Sequence, residues 1–97
     1  MYARVTIATF QPGKVDEGIK ILRDSAIPAA KKQKGFKKYL ALGDTATGKG
    51  MTIVLWNTEA DMMAGESSDY YKGQLARVGS LMTGPPTTER YEVMVQG

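Results

Sequence analysis

The side chains best suited to chemistry on a ring-shaped ligand are Arg4, Tyr39, Trp56 and Tyr70, with the Thr6 hydroxyl and the Asn57 amide as further candidates. An indole can stack an aromatic ring and donate one hydrogen bond, phenols can donate to a developing oxyanion, and a guanidinium can hold an anion. Each also has a plainer reading. A tryptophan at a strand end is commonly the largest core residue, and that reading is preferred for Trp56. Asn57 falls just before a helix cap, where an end-of-strand role accounts for it. Arg4 shares a strand face with Thr6. Under helices it would be a buried charge in need of a partner or an anionic ligand; against a second subunit it would be an interface residue, the reading preferred from sequence. Tyr70 and Tyr71 are adjacent, so they should point apart and not line one pocket together. Met62, Met63 and Met82 read as core filler.

What is missing narrows the chemistry as much as what is present. The chain has no Cys and no His. That removes the thiolate nucleophile, the disulfide, the commonest metal ligand, the commonest general base and the usual haem ligand. Asp61, Glu66 and Asp69 make no convincing metal set, and no phosphate loop, dinucleotide fingerprint or nucleophile–base pair occurs. An enzyme built from this chain is therefore expected to use no cofactor. Proton removal would fall to Asp, Glu, Tyr or a desolvated Lys.

These residues must be held by regular elements, and the sequence marks them clearly. Residues 2–10 alternate, with Ala3, Val5 and Ile7 against Tyr2, Arg4, Thr6 and Ala8, as a strand does. Val15, Ile19, Leu22, Ala26 and Ala30 then recur at helical spacing, with Asp16 and Glu17 first and Lys31 and Lys32 last, as the helix dipole favours. Pro28 should kink this helix or begin a second short one. Gly35 stops it. Phe36–Leu42 and Met51–Trp56 read as strands joined by the turn-rich "GDTATGKG". Thr58-x-x-Asp61 resembles a capping box, whose acid could reach back to the cap amide. The helix it opens should break near Gly65–Asp69, and Thr88–Gln96 alternates as a last strand. The order β-α-β-β-α-β predicts one α+β ferredoxin-like domain over residues 1–97, with a four-stranded antiparallel sheet and both helical segments on one face.

The helix-free face is not polar. Met51, Ile53 and Leu55 oppose Val54 and Trp56 on the third strand, so both faces need cover, and a second copy is the simplest cover. A 97-residue chain would gain from sharing a core in this way. No segment has the roughly 20 apolar residues of a membrane span, and a soluble cytoplasmic protein is expected. "KGF" at 34–36 imitates the start of an RNA-binding strand motif. It falls on the second strand rather than the third, and Lys37, Lys38 and Ala41 stand where small and aromatic residues belong. No nucleic acid is expected; Lys31, Lys32, Lys34, Lys37 and Lys38 read as a solvated helix end and strand edge.

Several features combine: the opening "ARVTI", a proline late in the first helix, "GF" leading the second strand, and "VLWNTEADMMA" running from strand into capped helix. Together they resemble the antibiotic biosynthesis monooxygenase family of dimeric α/β-barrel proteins, over essentially the whole chain. The resemblance implies two ferredoxin-like subunits packed sheet to sheet, with pockets between sheet and helices. It implies two chemistries, cofactor-free oxygenation of polycyclic aromatics in some members and haem degradation in others. Haem-degrading members pair a strand-1 Asn and a helix-2 His with the Trp. Here only Trp56 matches, Thr6 takes the strand position and no His exists, which argues against haem. The expected function is a cofactor-independent monooxygenase of a small aromatic or phenolic substrate. It should work as a homodimer through the helix-free face, with Ile53, Leu55 or Val93 in the interface. The alternative, of another class, is a non-catalytic dimeric barrel that binds a small apolar ligand or a protein partner.

Overall fold

A computed structural model describes residues 1–97. Strand β1 is Tyr2–Thr9, and helix α1 is Val15–Ile21. A π-helical turn, Leu22–Ala26, leads into α2, Ile27–Lys31. The hairpin of β2, Phe36–Asp44, and β3, Lys49–Trp56, follows. Helices α3, Glu59–Ser67, and α4, Asp69–Gly79, precede β4, Thr87–Glu92. The strands form one antiparallel sheet in the order β2-β3-β1-β4, the ferredoxin-like arrangement expected from the element order.

The π turn has a cause in the sequence. Pro28 has no N–H, so the ladder cannot continue in register through it. The Ile27 amide instead bonds to the Leu22 carbonyl, five residues back, and the helix widens there. Gly35, at φ +79°, makes the turn that follows α2. Its neighbour Phe36 packs edge to face on Trp56, with ring centroids 6.2 Å apart. "KGF" is thus a helix stop and a core anchor. The second cap is half a capping box. The Thr58 hydroxyl accepts from the Asp61 amide at 3.1 Å, but the Asp61 carboxylate lies against Gly35 rather than reaching back. At Ser68 the backbone turns extended, ψ 155°, and separates α3 from α4 near the break expected from Gly65 and the serines.

The last strand is shorter than the alternation of 88–96 suggests. It ends at Glu92, and a bond from the Val93 amide to the Met1 carbonyl closes the ladder. Beyond Val93 the segment leaves the sheet. Met94 and Val95 are consequently exposed.

Candidate active site

Rows of residues across the sheet explain where a cavity forms. On the helix side the register aligns Tyr2, Trp56 and Phe36, then Arg4, Val54 and Tyr39. Next come Thr6, Thr52 and Ala41, and then Ala8, Gly50 and Gly43. The first two rows are large and the last two are small. Helices laid over such a face touch it at one end and stand clear of it at the other. The result is a mostly apolar cavity of about 250 Å³ between the sheet and α1, the π turn and α4. A dry cavity of roughly 150 Å³ is enough for benzene, so the space suits a ligand of one or two rings. Phe10, Leu22, Leu75 and Val78 line its apolar body, and Asp44, Thr45 and Lys49 of the hairpin stand at one end.

Arg4 lies at the end formed by large residues. It is 3% exposed and faces the helices, not the open face of the sheet, which reverses the preference drawn from sequence. The reversal follows from strand parity, since Arg4 shares the face of Val54 and Tyr39, and that face is the covered one. Its guanidinium sits 4.3 Å from the centroid of the Tyr71 ring and 5.4 Å from that of Trp56, both within cation–π range. One N–H points to the Met62 carbonyl at 3.5 Å, and Tyr70 is close enough to hydrogen-bond it. No carboxylate pairs with it.

The tyrosines around it are held neutral. Burial pushes the Tyr39 phenol up to about 12, against the smaller opposing effects of Arg4 and of a hydrogen bond with Thr52. Burial also raises Tyr70, with Arg4 working the other way. Both phenols are therefore protonated donors at ordinary pH. Tyr70 and Tyr71 both line the cavity, contrary to expectation. They occupy the first turn of α4, whose end lies over the cavity, and their rings sit 6.5 Å apart at 70°. Two rings splayed in this way reach one space from two directions.

The sequence candidates divide clearly. Arg4, Thr6, Tyr39 and Tyr70 line the cavity, whereas Trp56 and Asn57 do not. Trp56, fully buried, belongs to the aromatic row behind Arg4, with Met62, Phe36 and Gly65 around it. It stacks on the guanidinium, so it shapes the site from behind. Its indole N–H has no hydrogen-bond partner. Asn57 is exposed, and its backbone N–H donates to the Gly35 carbonyl at 2.7 Å. Thr52, Gln74 and Phe10 join the lining without being sequence candidates, although strand parity places Thr52 beside Thr6 and Phe10 in line with Arg4. Gln74 carries no such local signal, because the placement of α4 decides it.

No protein-family model matches the chain, and no curated protein matches its sequence. Its fold has many counterparts. A candidate antibiotic biosynthesis monooxygenase from Nitrosomonas europaea superposes with a TM-score of 0.84 at 16% identity, covering 98% of this chain and 100% of that one. A candidate of the same name from Caulobacter crescentus gives 0.81 at 23% identity, covering 97% and 90%. SnoaB, a cofactor-independent oxygenase from Streptomyces nogalater, gives 0.83 at 14% identity, covering 98% and 94%. The chain has the fold of the proteins named antibiotic biosynthesis monooxygenases, as the resemblance in its sequence implied.

Proposed function

We propose that this protein is a cofactor-independent monooxygenase of a small aromatic or phenolic substrate, acting as a homodimer in the cytoplasm. The observation that carries the reading is the composition of the cavity. An apolar space ends in one buried cation and two phenols that stay protonated. A ring would sit over the small rows, and an oxygen on that ring would meet Arg4, Tyr39 and Tyr70. Donors fixed there favour the ionised form of an acidic phenol or ketone. The resulting carbanion can pass one electron to dioxygen, and recombination gives a hydroperoxide. Loss of water leaves a carbonyl, so the sum is CH2 plus O2 to C=O plus H2O. SnoaB, of the same fold, is described as a cofactor-independent oxygenase, which supports the reading by analogy of fold.

No carboxylate lines the cavity beside Arg4; the only one in the lining is Asp44 at the exposed hairpin. Deprotonation then depends on raising the substrate's own acidity, by stabilising its anion, rather than on a strong internal base. The decisive experiment is oxygen uptake by metal-stripped protein given anthrone-like phenols. Uptake insensitive to chelators, and reduced by Tyr39→Phe, is the expected result. Activity that appears only on adding iron or a flavin would refute the proposal.

A further inference from the structure

Arg4 is a buried cation without a counter-ion, and its surroundings make the shortage acute. Arg90 stands directly opposite it on β4, and like charges in such a pair repel. Arg90 is neutralised by Glu66 of α3 in a two-pronged ion pair, one arm of which is 2.8 Å. Glu66 is thereby committed, and nothing of negative charge is left for Arg4. The remaining groups that face it are aromatic side chains rather than carboxylates: Tyr70 and Tyr71 from α4, Tyr39 from β2 and Trp56 from β3. A guanidinium has five N–H donors, and its acceptors here are only the Met62 carbonyl, at a long 3.5 Å, and the nearby Tyr70 hydroxyl, both uncharged. The cation is only 3% exposed, so bulk solvent relieves little of the shortage. It can be relieved from the cavity that it lines.

The geometry points to a ligand that is itself an anion: a one- or two-ring aromatic acid, carrying a carboxylate or an acidic phenolate that seats on Arg4. Its apolar body would run from there over Thr6, Thr52, Ala8 and Gly50 toward Phe10. This rests on the reading of the cavity as the ligand site, but it does not depend on oxygenation. It predicts a charge preference that a merely apolar pocket would lack. Neutral rings lose the ion pair and leave the buried cation uncompensated, so the discrimination should be large.

The probes are 1-naphthoate and its neutral isostere 1-naphthamide, titrated calorimetrically into the wild-type protein, Arg4→Gln and Ala8→Leu. The wild type should bind the acid at least tenfold more tightly than the amide. Arg4→Gln should lose that preference, weakening the acid far more than the amide, and the amide binding that remains shows that its cavity is still formed. Ala8→Leu, which fills a small row, should weaken both probes together. Acid bound with preference, together with no oxygen uptake from the anthrone-like phenols, would sustain the inference and sink the oxygenase. Equal affinities for acid and amide, or a preference that survives Arg4→Gln, would overturn the inference and leave the pocket standing. Failure of both probes to bind would overturn it as well.

Discussion

A Cβ added at Gly65 would lie 2.8 Å from Cη2 and 3.0 Å from Cζ2 of Trp56, whose ring is fully buried and has no slack. Alanine gains about 1 kcal/mol over glycine in helix propensity, but overpacking a core typically costs about 1–3 kcal/mol. Gly65→Ala should therefore be destabilising, and calorimetry should show a lower Tm. An unchanged or raised Tm would mean that the indole is free to move. In sequence Gly65 reads only as part of a helix break; its contact joins a strand to a helix, and no local pattern records that. Tyr39 supplies a second test. Its raised value favours the neutral phenol in the folded state, so the stabilisation is complete below pH 10 and is lost as pH rises from 10 toward 12. Chemical denaturation across that window should show a fall in stability on the order of 2 kcal/mol that Tyr39→Phe removes. If the two proteins lose stability in parallel, Tyr39 is not the group responsible.

Between residue and fold, the helical layer carries both of the chain's irregularities, and both touch the cavity. The π turn places Leu22 and Ala26 on its wall and presents Ser25 to α4, where Gln74 donates to its hydroxyl at 3.1 Å. Pro28 announced a disturbance in the helix, but not its form. That depends on which carbonyl the widened ladder finds. The α3–α4 junction is the looser of the two. The Ser68 hydroxyl donates back to the Gly65 carbonyl at 2.5 Å and does not cap α4, so the first amides of α4 have no side-chain acceptor. Tyr70 and Tyr71 sit on that uncapped turn, which makes it the natural gate to the cavity. Hydrogen exchange should be much faster at residues 68–71 than in β1 and β3, and a bound aromatic acid should slow it. Protection equal to that of the central strands would remove the basis for a gate.

At the scale of the molecule, the two faces of the sheet are treated differently. One is covered by helices; the other carries Val5, Ile53 and Leu40 in one row across β1, β3 and β2, with Ile7, Met51 and Leu42 in another. Leu40 is 40% exposed and Leu42 51%, and Tyr91 at the β4 edge is also exposed. The alternation of the strands made this two-sidedness legible, because period-2 patterning is local. The cavity on the opposite face was not legible, since it depends on small residues from three strands meeting in register. An apolar sheet face without cover is unfavourable by about 25 cal/mol for each Å² left wet, and a second copy presents a matching surface. The protein should accordingly sediment at twice its chain mass of 10.6 kDa at micromolar concentration. Ile53→Asp, in the middle of the face, would place an unpaired carboxylate in a desolvated interface at a cost on the order of 3–5 kcal/mol. It should yield monomer or unfolded protein, whereas Lys20→Glu, at an exposed position of α1 on the opposite side of the sheet, provides a surface-charge control that should stay dimeric. A wild type that sediments as monomer ends the proposal. A dimer that survives Ile53→Asp would move the interface elsewhere and leave the exposed leucines of β2 without a physical account.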